Sequence, residues 1–127
     1  LSRINLTDDA EQIINKIKKA KTDPLPMPSS IEELEKRPEA KNLIGIYSSL
    51  VGISFEKSII EFSGKNFSEF KESLSQVVVD KIDPISKEIK KLLSDKSFLD
   101  QILLEGCEKA EKIASNKMKK IHEIIGF

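Results

Sequence analysis

From Phe67 to Leu93 the sequence keeps a single helical register. Phe67, Phe70, Leu74, Val77, Val78, Ile82, Ile85, Ile89, Leu92 and Leu93 share one stripe, and the stripe runs through Pro84. Two helices joined by a turn would slip that register. The spacing therefore predicts one long helix, bent at Pro84, because proline lacks the N–H that bonds back one turn and its ring crowds that turn. The Val77-Val78-Val79 triplet is β-branched, but three residues inside a 3.6-residue period make a poor strand. After Asp95 and Ser97 a second long helix follows toward Ile125, with Leu99, Ile102, Leu103, Cys107, Ala110, Ile113, Ala114, Met118 and Ile121 on its inner side. Helices of this length need other helices to cover their apolar stripes. The expected fold is an all-α helical bundle with two long antiparallel members, one kinked at Pro84.

The preceding residues read as shorter helices. Between Asp8 and Lys21, Ile13, Ile14 and Ile17 mark one face, while Lys16, Lys18, Lys19 and Lys21 crowd the end where the helix dipole favours cations. Pro24, Pro26 and Pro28 forbid regular helix and force an extended connection, the one convincing linker in the chain. Ser30 and Glu33 have capping-box spacing over a short helix that Pro38 should end. Ala40 to Val51 carries Leu43, Ile44, Tyr47, Leu50 and Val51 on one stripe, with Gly52 where a left-handed cap belongs. Ser54 can cap a helix bearing Phe55, Ile59, Ile60 and Phe62 that stops at Gly64, and Asn66 with Glu69 offers the next capping box.

Composition limits the chemistry. A chain of 127 residues suits one compact domain, and its 33% charged residues exceed the usual figure of about 25%. Twenty-one basic residues balance twenty-one acidic ones, so any contact with a polyanion must be local. One cysteine and one histidine exclude an internal disulfide and every Cys/His zinc pattern, and a reducing cytoplasm fits. No apolar run approaches the roughly 18–20 residues of a membrane span, and no basic-then-apolar secretory signal opens the chain. The start at Leu1, with helix-start residues Thr7, Asp8 and Asp9 close behind, reads as a piece of a longer protein.

Catalytic and metal-binding motifs are not apparent. There is no glycine-rich phosphate loop, no metal-spaced cluster and no nucleophile motif. Cys107 on the apolar stripe reads as a small hydrophobe, and His122 as a surface residue near a helix C-terminus. Asp8 and Asp9 suit a helix first turn. Asp80 with Asp83 makes another carboxylate pair, but a metal role is not the expectation for either pair. On the last helix, Lys109, Lys112, Asn116, Lys119 and Lys120 project onto one polar strip away from the apolar stripe. Two readings stand on these residues alone. The strip can track phosphates, or, with Glu105, Glu108 and Glu123 on or beside it, it is a solvated face with i to i+4 charge pairs. Lys117, at the margin of the apolar stripe, reads as a snorkelling side chain.

The order of short strings says more than their spacing. Ile4-Asn5-Leu6-Thr7-Asp8-Asp9, Lys16-Ile17-Lys18-Lys19-Ala20-Lys21-Thr22-Asp23, Asn42-Leu43-Ile44-Gly45-Ile46-Tyr47-Ser48, Phe70-Lys71 and Gly106-Cys107-Glu108-Lys109-Ala110 follow one another along the chain. Together they closely resemble the C-terminal third of the bacterial tryptophanyl-tRNA synthetase family, class I aminoacyl-tRNA synthetases. The Pro24 to Pro38 connection is the most divergent part. The resemblance implies that residues 1–23 are the tail of the catalytic half after the KMSKS loop, 24–39 a proline-rich connection and 40–127 a helical domain that approaches the tRNA anticodon. It implies a homodimeric parent that activates tryptophan with ATP and magnesium and transfers it to tRNA(Trp). The HIGH and KMSKS motifs of that activity do not occur in this chain, which should be inactive alone, with no cofactor, membrane or DNA as partner. It also raises the RNA reading of the lysine strip, with Lys109 and Lys112 foremost. Where family members often carry alanine, this chain has Cys107, which fits packing rather than thiol chemistry. Tyr47 could stack on a base, but its stripe position favours the core with its hydroxyl paired. The alternatives are the C-terminal region of a tyrosyl-tRNA synthetase and a non-catalytic helical interaction module.

Overall fold

A computed structural model describes residues 3–126. Among them six helices and no strand are found: α1 (Ala10–Lys18), α2 (Ile31–Glu35), α3 (Pro38–Val51), α4 (Phe55–Phe62), α5 (Phe67–Ser94) and α6 (Lys96–Ile125). The all-α expectation holds. α5 is continuous across Pro84, as its unbroken register requires.

Several helix ends follow the residues that were expected to cap them. Asp9 accepts from the Gln12 N–H and the Gln12 side chain returns to the Asp9 N–H, a complete capping box that starts α1 at Ala10, two residues beyond Asp8. Ser30 and Ser54 cap α2 and α4. Asn66 Oδ1 accepts from the Glu69 N–H at 2.9 Å. Glu33 differs from the expected box: its carboxylate accepts from the Ser29 N–H and hydroxyl instead of the Ser30 N–H. Gly52 closes α3 at φ 77°, a left-handed conformation that costs a side-chain-bearing residue about 1–2 kcal/mol. Pro38 ends the α2 region and also opens α3 at its first turn, where a missing N–H costs nothing.

The described chain divides into two compact units, 3–87 and 88–126. The first has a continuous core. Ile13 and Ile17 of α1, Met27, Leu34 of α2, Leu43, Ile44 and Tyr47 of α3, Ile59 and Phe62 of α4, and Phe67, Phe70, Leu74 and Val78 of α5 are all buried in it. At its centre the rings of Tyr47, Phe62 and Phe70 meet edge to face, with centroids 4.9 to 6.0 Å apart. Of the apolar residues that α4 bears, Ile60 is 78% exposed, because the neighbouring Ile59 takes the core position one residue earlier on the helix.

The proline segment is extended, as its spacing requires, but it is fastened down. Met27 N–H donates to the Lys65 carbonyl at 2.8 Å and its own carbonyl accepts from the Gly64 N–H at 3.3 Å, so a short ladder ties it to the α4–α5 turn. Met27 and Pro28 are buried. Arg37 completes the attachment. Its guanidinium forks onto Asp23 at 2.6 and 2.9 Å, donates to the Pro26 carbonyl at 2.7 Å and lies 5.5 Å from the centroid of Phe67.

The second unit comprises the end of α5 and all of α6. None of the described side chains of α6 is buried. This corrects the expected inner stripe: Ile102, Leu103, Ile113, Met118 and Ile121 are exposed, and so is Cys107, which the sequence reading made a packed hydrophobe. The periodicity is that of an amphipathic helix, but the second unit by itself supplies nothing that buries it.

Candidate nucleic-acid interface

The lysine strip is carried by α6, whose ends are well defined. Asp95 Oδ1 accepts from the Phe98 N–H at 3.0 Å and the Ser97 hydroxyl at 2.8 Å, which starts the helix at Lys96. Those two hydrogen bonds hold the Asp95 carboxyl below its ordinary range, as suits an anion at a helix N-terminus. Gly126, at φ 81°, closes the helix by donating its N–H to the His122 carbonyl at 2.9 Å.

Lys109, Lys112, Asn116, Lys119 and Lys120 are all exposed. At 100° per residue they lie within about 100° of arc, and Lys109 to Lys120 spans about 17 Å of helix. Helix geometry therefore brings the five together on one side. Glu105 and Glu108 stand one turn before Lys109 and Lys112, the spacing of helical ion pairs, yet they do not pair with them. The ion pairs found among the described residues lie elsewhere, and Glu105 instead accepts from Gln101 Nε2 at 3.2 Å. The i to i+4 pairing of the solvated-face reading is thus not formed. Lys117 and His122 are exposed as expected.

Tyr47 is not a stacking platform. It is 6% exposed, and its hydroxyl donates to Glu61 Oε1 at 2.9 Å. Burial, reinforced by the Glu61 carboxylate, pushes the phenol up to about 12.

Two buried cations escaped the sequence reading. One is Arg37. The other is Lys71, whose ammonium donates to the carbonyls of Ala20 at 2.6 Å and Lys18 at 3.3 Å, closing the end of α1 from α5. Desolvation lowers the Lys71 pKa. A sequence signal for Lys71 existed, because Phe67, Phe70, Lys71 and Leu74 have the i, i+3, i+4, i+7 spacing of one buried face. Arg37 had no comparable signal, since its partners Asp23 and Pro26 are brought to it by tertiary packing. Both cations are spent on holding the first unit together. Among the described residues no three His, Cys, Asp or Glu side chains come together as a metal site would need, and no single helix is long and apolar enough to cross a membrane.

Comparison with known proteins gives this geometry a setting. No family model matches the chain. Over all 127 residues the chain is 47% identical to tryptophan–tRNA ligase of Rhizobium meliloti and 47% identical to that of Mesorhizobium japonicum, covering 36% of each protein's length. It is 44% identical over 126 residues to tryptophan–tRNA ligase of Rickettsia felis, covering 38% of that protein. The chain thus spans little more than a third of the length of these relatives, and the part it matches is C-terminal. The resemblance drawn from the ordered strings holds: the whole chain is similar to the C-terminal part of tryptophan–tRNA ligase.

Proposed function

We propose that this chain is the tRNA-holding C-terminal part of a tryptophan–tRNA ligase, and that α6 meets the RNA through Lys109, Lys112, Asn116, Lys119 and Lys120. The observation that carries the reading is an exposed row of ammonium groups without carboxylate partners among the described residues, in a chain similar throughout to enzymes whose name includes tRNA. A neutral protein can bind a polyanion through such a local row, since affinity depends on phosphates neutralised locally and not on net charge.

In this reading the reaction belongs to the rest of the parent. Tryptophan activation with ATP and magnesium, and transfer to tRNA(Trp), need the HIGH and KMSKS motifs, which this sequence lacks. On this reading the chain alone is inactive. The parent is a cytoplasmic homodimer. Residues 1–23 join the helical part to the catalytic half, 24–39 are the connection and 40–127 the RNA-binding part. The docking of α1 and the proline segment into the core of α2 to α5 makes that junction a packed one.

Filter binding of the chain to tRNA tests the proposal. Binding should weaken linearly in log–log form as salt rises, and Lys109→Ala should weaken it further and reduce the salt slope by about one. Binding insensitive to salt and to Lys109→Ala would refute it. The exposed apolar stripe of α6 favours a second reading, a helical module that docks a protein partner; that reading predicts no salt-dependent RNA binding. Pyrophosphate exchange by the full-length parent, dependent on tryptophan and not on tyrosine, separates the two synthetase alternatives.

A further inference from the structure

The lysine face of α6 does not end at Lys109. Phe98 stands eighteen residues before Asn116, about five turns, so the two share one azimuth of the helix at a separation of about 27 Å. Phe98 is 44% exposed and is the sole Phe, Tyr or Trp among the described residues of the second unit. It sits about 100° from Leu99, away from the middle of the apolar stripe. Like the other apolar side chains of α6, the ring is not buried. We propose that Phe98 is a stacking platform for an unpaired base of RNA, at the opposite end of the face whose lysines hold the strand's phosphates. This rests on the RNA reading above and adds to it a contact with a base.

Two features support the assignment. Unpaired nucleic acid is gripped by a combination of cations tracking the backbone and aromatic rings stacking on bases, and this face carries both. The backbone that carries the ring is fixed, because the Phe98 N–H is bonded to the Asp95 cap in the first turn. Glu105 lies between the ring and Lys109 and would repel a phosphate there. The arrangement therefore places phosphates at Lys109 and Lys112 and a base at Phe98, about 17 Å away along the helix. About five nucleotides at the 3.4 Å spacing of a stacked strand cover that distance.

The test compares the full chain with Phe98→Leu, which keeps an apolar, helix-favouring side chain but removes the ring, and Phe98→Trp, which keeps a ring. The probes are a short unstructured oligoribonucleotide and an RNA duplex of the same length, each measured across a salt series, with circular dichroism confirming unchanged helix content. Phe98→Leu should bind the unpaired strand about tenfold more weakly with an unchanged salt slope, and should bind the duplex as before. Phe98→Trp should restore the loss. If Phe98→Leu binds the unpaired strand as tightly as the parent while Lys109→Ala still weakens it, the stacking assignment is overturned and the RNA reading stands. If the parent chain shows no salt-dependent binding to either probe, both fall.

Discussion

Replacing Arg37 with methionine keeps the aliphatic stem and removes the guanidinium that ties the proline segment to the first unit. The side chain is 8% exposed, forks onto Asp23 at 2.6 and 2.9 Å and donates to the Pro26 carbonyl at 2.7 Å. Breaking a fully buried pair costs about 3–5 kcal/mol. The Asp23 carboxylate, however, keeps 28% of its surface and can rehydrate when its partner leaves, which brings the expected cost down to about 2–3 kcal/mol. For a unit of this size that corresponds to a Tm lower by roughly 10–20 °C. The chain provides its own probe. It has one tyrosine and no tryptophan, and Tyr47 lies in the core of the first unit, so tyrosine fluorescence follows that unit without interference from α6. A double-mutant cycle with Asp23→Asn should give a coupling energy of about 1 kcal/mol or more. A loss below about 0.5 kcal/mol with no coupling would mean that the fork behaves as a solvated surface pair, and the fastening role assigned to Arg37 would be wrong.

Acid should act on the same contacts. The Arg37 guanidinium, the Lys16 ammonium and the Ser29 backbone N–H respectively hold Asp23, Asp8 and Glu33 below the usual carboxylate range. Groups depressed in the folded state stabilise it fully above their unfolded values, so urea midpoints should stay level down to about pH 5 and then fall with pH; a rise on acidification would contradict this. The Tyr47 phenol should ionise near pH 12 in an absorbance titration while the fold persists, and because the unfolded phenol ionises first, stability should fall between about pH 10 and 12. Phe70→Ala, at a position 0% exposed, should cost about 3–5 kcal/mol, whereas Ile60→Ala on the exposed side of α4 should cost under about 0.5; equal losses would disprove the core assignment. Gly106→Ala should raise the helicity of α6 and stabilise it by up to about 1 kcal/mol, because Gly106 is inside the helix and a Cβ there meets no atom within 4 Å. Unchanged or reduced ellipticity at 222 nm would count against it.

The elements of the protein were legible in the sequence because helices are written in local terms. A 3.6-residue period, a serine or asparagine at a start and a glycine at a stop act over a single turn, so α2 to α6 fall close to where those signals place them. The unbroken stripe around Pro84 was enough to join two half-helices into α5. The lysine strip was legible for the same reason, since five residues on one helix share a face whatever else the chain does. Phe98 shares that face too, but the sequence reading grouped residues by charge and passed over a lone ring.

Burial was a different matter. A stripe of isoleucine and leucine says that a helix can be covered, not that anything covers it. The stripes at the start of α5 and on α6 look alike in sequence, yet Phe70 and Leu74 are sealed in a core while Leu103 and Ile113 face solvent. Cys107 was misjudged on that ground alone. The attachments made by Arg37 and Lys71 belong to the same class, because their partners lie up to 53 residues away and become neighbours only through folding. The sequence by itself determined the helices, their ends and the shared face of the lysines, all consequences of covalent spacing. Tertiary structure alone decided which apolar faces lose water, which cations are buried and how the proline segment is held, because those depend on surfaces contributed by distant parts of the chain.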